Sequence, residues 1–258
     1  MGTVFEYGYN KNSQAIGDLE EKTTYSATDL GTVSIDNIDS FITSHGFNTG
    51  AFDDVYIGSY FTASYDSTTI TFRIAGLNWY CGHEDSILCN TPHAVIVPDQ
   101  ILTSASMNSS DTNSGAYSGS KMVSSTIPTV ITNLTNIFGD HLLSFNEIVS
   151  SNGTTGTTTI TTKAILMNEL EVFGTKPYSD VSKGGPDGIV GKQLPLFSSD
   201  STKKKAYDTS GTAQWWWERD CYSSDSGGFC SVYSTTGGSA TYGGAYYSGG
   251  VRPRFLIG

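Results

Sequence analysis

The chain has 258 residues and a net charge of −11, with 37% hydrophobic and only 15% charged residues. Its 29 glycines follow no three-residue period, so the composition excludes a collagen-like helix as well as a chain that is disordered by its charge. The acidic balance argues against nucleic-acid binding, which needs clustered Lys and Arg. The length allows one large domain or two small ones.

The N-terminal part is polar and differs from the rest of the chain. Residues 1–33 have no hydrophobic period, which predicts an extended arm. Residues 34–46 then place apolar side chains at helical spacing, with Ser34 as the N-cap and Gly46 as the stop. We therefore predict an arm with a short helix over residues 1–50 and one domain over residues 51–258. The arm would anchor the domain to an assembly; packing of the helix on its own domain stays open.

Short strands dominate the chain from residue 55 onward. Apolar and β-branched runs broken by turn residues predict strands at 55–63, 69–74, 77–80 and 94–97. Residues 102–120 are polar and rich in turn residues, and they predict a long surface loop. A second helix is predicted from Pro128 to a stop at Gly139. Its apolar stripe consists of Val130, Ile131, Leu134, Ile137 and Phe138.

A further strand pair is predicted at 142–149 and 157–167, joined by the turn Asn152–Gly156. The segment 214–258 opens with WWWERD and closes with GGVRPRFLI, and aromatic and β-branched residues of this kind favour core strands. Residues 221–248 between them are mostly Gly, Ser, Thr and Tyr. The glycine pairs Gly227-Gly228, Gly237-Gly238 and Gly243-Gly244 are expected to supply the positive φ of hairpin turns. Two helices and many short strands predict an α+β fold.

The tryptophan cluster and two arginines are predicted to be structural. Strand alternation places Trp215 and Trp217 on one face and Trp216 on the other, so at least one of them lies in the core. Arginines in strands of low charge density usually pair with a carboxylate, and Asp220 or Glu218 could supply it. The predicted structural residues are Trp216, Trp217, Arg219, Asp220 and Arg252.

The cysteines form two local pairs, Cys81/Cys89 and Cys221/Cys230, each bracketing a short loop. Each pair is a candidate disulfide, and unbonded thiols are the open alternative. Neither pair has the spacing of a zinc site, so we expect no metal and no cofactor. The sequence also lacks a nucleophile elbow, a zinc-protease helix and a phosphate-binding glycine loop, so we expect no enzymatic activity.

Tyrosines mixed with Ser and Gly mark the C-terminal loops as the candidate ligand-binding region. Such mixtures are typical of binding surfaces, where tyrosine supplies rigid contact area and the small residues adapt. The alternative is that these residues contact only the protein itself. The candidate ligand-binding residues are Tyr222, Tyr233, Tyr242, Tyr246 and Tyr247.

Two sequence features bear on location. No stretch approaches the roughly 20 apolar residues of a membrane span. The N-terminal sequence also lacks the basic and apolar regions of a signal peptide. We therefore expect no membrane insertion, and synthesis in a cytoplasm without export by the standard route.

The order of the motifs resembles the C-type-lectin-like domains of bacteriophage and gut-bacterial proteins, which are distant in fold from formylglycine-generating enzymes. Trp216, Trp217, Arg219 and Asp220 match the first motif, and residues 250–253 (GVRP) match the second. Glu218 departs from the family pattern, which usually has an apolar residue there. Upstream resemblances lie at residues 56–58, 73–76, 93–99 and 115–120, so the likeness covers roughly residues 55–258.

This resemblance implies a C-type-lectin-like domain with short antiparallel strands, about two helices and long loops. It implies a non-enzymatic virion structural protein, made in the bacterial host cytoplasm and displayed as a head decoration, fibre-like protein or tail adhesin. Partners would be capsid or tail proteins bound through the arm, with a homo-oligomer, a trimer by analogy. The alternative is a receptor-binding module that recognises a host-surface saccharide or protein through the tyrosine-rich loops. A third alternative is an enzyme of the sulfatase-modifying type.

Overall fold

The computed structural model describes residues 25–79, 91–151, 156–179 and 192–258. Within them the fold is mixed α+β, with several small sheets and few helices. The strands are β1 (Asp29–Val33), β2 (Tyr60–Tyr65), β3 (Thr68–Leu77), β4 (Ala94–Pro98), β5 (Thr103–Ala105), β6 (Phe145–Ser150), β7 (Thr157–Thr162), β8 (Ala164–Leu166), β9 (Ala206–Tyr207), β10 (Ala213–Gln214), β11 (Trp216–Cys221), β12 (Gly228–Tyr233), β13 (Ser239–Gly244), β14 (Gly249–Val251) and β15 (Pro253–Ile257). The α-helices are α1 (Ile38–Ser44), α2 (Ile127–Phe138), α3 (Glu169–Phe173) and α4 (Pro195–Ser199).

A six-stranded sheet in the order β1-β2-β3-β4-β15-β8 forms one half of the core. The C-terminal strand β15 is fully buried and lies between β4 and β8, antiparallel to both. Asp66 and Ser67 join β2 to β3 with φ values of 47° and 64°, a two-residue turn of the kind that suits hairpin twist. Helix α2 packs on this sheet, where the ring of Phe138 contacts those of Phe72 and Phe255.

A five-stranded sheet in the order β13-β12-β11-β14-β5 forms the other half. Strand β11 carries the WWWERD motif from its second tryptophan, Trp216, onward and is buried along its whole length. Strand β14 ends at Val251 and β15 begins at Pro253, so the chain leaves one sheet and enters the other at Arg252. Both ends of the segment 214–258 are therefore core strands, as the sequence predicted.

The N-terminal part joins this core instead of forming a separate arm over its whole length. Strand β1 pairs in parallel with β2, and Phe41 of α1 contacts Phe61 at 5.2 Å between ring centroids. Within the described residues, β1 and α1 therefore contact strand β2, which lies beyond the predicted boundary at residue 50. Helix α1 begins at Ile38 and not just after Ser34, because the Ser34 N–H donates to the Asn37 side chain in a preceding turn. The remainder of the predicted arm, residues 1–24, lies outside the described residues.

Two loop predictions were wrong in detail. Residues 102–120 do not form a plain surface loop: they contribute β5 and bury Met107 and Tyr117, whose hydroxyl accepts the Leu166 N–H. Of the three glycine pairs, Gly237-Gly238 has positive φ, whereas Gly243-Gly244 lies inside β13 in extended conformation. There the absent Cβ permits close packing and not a turn.

The short helix α3 was not predicted, although its sequence carries a start signal. Asn168 and Glu171 form a capping box: the Asn168 side chain accepts the Glu171 N–H at 2.7 Å, and the Glu171 carboxylate accepts the Asn168 N–H at 2.9 Å. A helix this short leaves almost no periodic pattern to detect. No helix in the described part of the chain combines the length and apolarity that crossing a membrane requires.

Candidate ligand-binding surface

The tryptophan cluster forms part of the frame under the C-terminal loops. The rings of Trp215 and Trp217 contact each other at 4.7 Å on one face of the sheet, and Trp217 Nε1 donates to the Ala105 carbonyl at 2.9 Å. Trp216 points to the opposite face, where its ring lies 5.1 Å from the Arg252 guanidinium. The three side chains therefore pack on both faces of the sheet at β11.

Arg252 lies where the chain passes between the sheets, and its hydrogen bonds go to backbone carbonyls. It donates to Pro98 at 2.7 Å, to Lys203 at 2.9 Å and to Lys204 at 3.3 Å. Burial lowers the pKa of Arg252 to about 10. The expected carboxylate partner of Arg252 is therefore replaced by three carbonyl groups that the sequence pattern does not reveal.

Arg219 takes part in a buried charged ring that also contains Arg254, Glu147 and Glu171. Arg219 donates to Glu147 at 2.6 Å and to Glu171 at 2.9 Å. Arg254 donates to the other oxygens of the same glutamates, at 2.7 Å and 2.5 Å. The two positive and two negative charges cancel, and they tie β11, β15, β6 and α3 together. Neither Asp220 nor Glu218 is the partner of Arg219, since Glu147 and Glu171 come from distant elements.

Three more carboxyl groups lie buried beside this ring. Glu169 accepts the N–H groups of Tyr178 and Ser179 at 3.0 Å and 2.7 Å, and Asp220 accepts the Glu169 N–H at 2.8 Å. Neither oxygen of Glu218 has a hydrogen-bond partner among the described residues. Burial raises the pKa of Asp220 to about 7 and that of Glu218 well above its ordinary value. Burial and the neighbouring carboxylates therefore favour the protonated form of Glu218.

The cysteines of the second predicted pair, Cys221 and Cys230, are present as buried thiols and not as a disulfide. Burial, followed by the charge of the nearby carboxylates, raises the pKa of Cys230 well above its ordinary value. A thiol of this kind is a poor nucleophile, since the thiolate is the reactive form. Cys81 and Cys89 lie outside the described residues. No group of three or more His, Cys, Asp or Glu side chains suited to a metal ion occurs in the ranges that the structure describes.

Three tyrosine rings meet on the side of β13 that carries Tyr242. Tyr222 and Tyr242 stack with centroids 3.8 Å apart and planes 12° apart. The ring of Tyr178 lies 5.2 Å from Tyr242 and 6.0 Å from Tyr222. Tyr178 is held from behind, because its carbonyl accepts the Ser223 N–H and hydroxyl at 3.0 Å and 2.8 Å. Sequence analysis did not predict Tyr178, which comes from the distant segment after α3.

Two further tyrosines extend this group. The rings of Tyr246 and Tyr247 lie 4.2 Å apart, and their exposed fractions are 47% and 52%, close to the 46% of Tyr242. Gly244 lies two residues after Tyr242 on β13 and so shares its face. A Cβ at Gly244 would lie 3.2 Å from Tyr246 Cε1, which places Tyr246 on that face too. We call Tyr178, Tyr222, Tyr242, Tyr246 and Tyr247 the tyrosine surface.

Tyr233, the remaining candidate residue, does not belong to the tyrosine surface. It is 43% exposed, but it pairs with Ser239 at the far end of the β12–β13 hairpin from Gly228. Tyr233 lies five residues along the extended strand from Gly228, which corresponds to roughly 17 Å. Tyr233 also lies an odd number of residues from Cys230, which is paired with Tyr242, so it points to the opposite face.

Two buried asparagines fix the loops around the tyrosine surface. The Asn113 side chain donates to the carbonyls of Asp225 and Gly228, each at 3.1 Å, and its N–H donates to Ser226 at 2.7 Å. The Asn108 N–H donates to the Ala245 carbonyl at 2.9 Å. Hydrogen bonds therefore fix the loop 106–120 against the end of the β12–β13 hairpin, and they order the turns beside the tyrosines.

Comparison with known proteins gives one finding. A family described as a domain of unknown function (DUF6273) matches residues 93–258, which include the whole of the five-stranded sheet and all five members of the tyrosine surface. No curated protein and no solved structure matches the chain.

Proposed function

Since the chain belongs to the DUF6273 family, its function must be inferred from its own surface, and we propose that it is a non-enzymatic recognition protein that binds another molecule through the tyrosine surface. The observation that carries this proposal is the grouping of tyrosine rings on a hydrogen-bonded scaffold, with Tyr242, Tyr246 and Tyr247 about half exposed. Tyrosine combines a large apolar ring with a polar hydroxyl, which suits a binding surface that is exposed to water before the ligand binds.

The scaffold beneath supports the proposal. Binding costs less when the contact residues are already ordered, because little side-chain and loop freedom is then lost. Tyr178 is held by Glu169 and Ser223, and the neighbouring turn is held by Asn113. This arrangement favours a prepared contact surface over rings that merely fill a loop.

We also propose the setting that the motifs imply: a C-type-lectin-like domain displayed on a bacteriophage particle as a decoration, fibre-like protein or tail adhesin. The support is the order of the motifs along residues 55–258 and the way in which both terminal motifs act as frame strands. Mass spectrometry of purified particles should detect the chain at a fixed copy number. Its absence from intact particles would contradict this setting and leave the recognition proposal standing.

The recognition proposal is tested with a triple variant, Tyr242→Ala with Tyr246→Ala and Tyr247→Ala. Binding of the purified protein to glycan arrays and to a panel of bacterial cells should fall at least tenfold, because aromatic anchors dominate such interfaces. Tyr233→Ala is the matched control, since Tyr233 is similarly exposed on the same hairpin but outside the tyrosine surface. Target binding that survives the triple change would refute the proposal.

A further inference from the structure

Two exposed aspartates lie directly beside the tyrosine surface. A Cβ at Gly244 would lie 2.6 Å from Asp111 Oδ1, and a Cβ at Gly228 would lie 3.2 Å from Asp225 Oδ1. Gly228 and Gly244 are paired across β12 and β13. Glycine at both positions therefore lets the two carboxylates approach the strands next to the tyrosine rings, Asp111 beside Tyr246.

The scaffold also fixes where these carboxylates stand. Asp225 Oδ1 accepts the N–H groups of Gly227 and Gly228 at 2.9 Å and 2.7 Å. Asp111 lies in the loop between Asn108 and Asn113, the two asparagines that clasp the hairpin. The Asp225 carboxylate is thus held at the rim, and hydrogen bonds on both sides of Asp111 fix the loop that carries it.

The local electrostatics are negative. A hydrogen bond with Tyr222 raises the pKa of Tyr242, and the Asp225 charge adds to that rise. A hydrogen bond with Tyr247 raises the pKa of Tyr246, and the Asp111 charge adds to it. Lys176 is half-buried, and its charge acts on the buried Asp220.

Tyrosine faces and carboxylates share one preference in a ligand. Both attract cations, the ring through its quadrupole and the carboxylate through its charge. The net charge of −11 would steer a basic partner toward the chain. We infer that the tyrosine surface binds lysine or arginine side chains of a basic protein partner, an inference that rests on the proposed recognition function.

Fluorescence anisotropy with a labelled ten-residue oligolysine tests the inference, with a neutral Gly-Ser peptide of equal length as the reference probe. The full-length chain should bind oligolysine and not the neutral peptide, and the affinity should fall as NaCl rises from 50 to 300 mM, because salt screens exposed charges. Asp111→Asn and Tyr246→Ala should each weaken binding about two- to fivefold. The double variant that combines Asp111→Asn with Asp225→Asn should lose more oligolysine affinity than Asp111→Asn alone.

Asp36→Asn is the matched control, because it removes one exposed negative charge just before α1, away from the five-stranded sheet. It should leave oligolysine binding unchanged. Equal losses in Asp36→Asn and Asp111→Asn, or no oligolysine binding at all, would overturn the inference. If the triple tyrosine variant then still lost glycan or cell binding, the proposed function would stand and a neutral saccharide would be the target. If that variant kept its target, the proposed function itself would fail.

Discussion

The buried charged ring and the tyrosine surface invert the usual distribution of side chains. Arg219, Arg254, Glu147 and Glu171 are charged and lie inside, with exposed side-chain fractions of 5% or less. The tyrosines are large and aromatic, and the rings of Tyr242, Tyr246 and Tyr247 are about half exposed. Strand β11 links the two regions, because it carries Arg219 and ends one residue before Tyr222. We therefore expect stability to depend on the buried charged ring, and we expect the chain to stay folded when the tyrosines are changed.

The largest expected effect is at the charged ring. Glu147→Gln keeps the shape of the side chain but leaves Arg219 and Arg254 with one shared carboxylate, so a buried positive charge is uncompensated. We expect the free energy of unfolding to fall by about 3–5 kcal/mol, measured by urea denaturation. Asp36→Asn, an exposed change, should stay within about 0.5 kcal/mol of the parent. A loss below about 1 kcal/mol in Glu147→Gln would show that the ring does not govern stability.

The second-largest loss of stability is expected at Gly249, which we compare with Gly244; both glycines lie in strands. A Cβ at Gly249 would collide with the Trp215 ring and lie 2.8 Å from Trp217 Nε1, inside the packed frame. Gly249→Ala should therefore cost about 1–3 kcal/mol. A Cβ at Gly244 would meet the movable ends of Asp111 and Tyr246, so Gly244→Ala should cost less. Thermal unfolding of both variants checks this order, and equal losses would contradict it.

Glu218→Gln should reveal the raised pKa of the buried Glu218 carboxyl through the pH dependence of stability. Folded Glu218 keeps its proton well above the pH, about 4.3, at which the unfolded chain releases it. Its contribution to stability is therefore fully present at low pH and is lost as pH rises toward the folded pKa, by about 1.4 kcal/mol per pH unit. The glutamine side chain of the variant does not titrate, so the stability of the variant relative to the parent should rise as pH increases above about 4.3.

The other titrating groups do not obscure this comparison. Burial lowers the pKa of His93 to about 4, so its contribution is lost as pH falls from about 6.5 to 4, the opposite sense. His93 and Asp220 are present in both proteins and largely cancel from the difference. Urea denaturation at several pH values measures that difference. A gap between parent and variant that stays constant with pH would mean that Glu218 is not protonated in the folded chain.

The smallest effect on stability is expected at the tyrosine surface. Tyr242→Ala removes a half-exposed ring and its stack on Tyr222, and we expect a loss below about 1 kcal/mol. In the same variant, the free energy of target binding should fall by more than the free energy of unfolding. Urea denaturation run beside the binding assay checks this, and a loss above about 2 kcal/mol would place Tyr242 with the frame.

Local patterns were sufficient for much of the fold. The stripe from Val130 to Phe138 specified α2, and Gly139 marks its end with a φ of 53°. The aromatic and β-branched terminal motifs specified β11 and β15. These features depend on residues close in sequence, through helix periodicity and strand alternation. The short helix α3 was missed because five residues carry too little periodicity.

The amino-acid sequence was therefore enough to specify the α+β class, the core strands at both ends of the C-terminal segment and the tyrosine-rich character of its loops. Only the tertiary structure decided that Arg219 pairs with Glu147 and Glu171, that Tyr178 joins Tyr222 and Tyr242, and that Tyr233 does not. The physical reason is that charge pairing and ring stacking act between atoms a few ångströms apart, while these partners come from separate strands, helices and loops. Their proximity follows from the way the two sheets pack, which no spacing along the chain records.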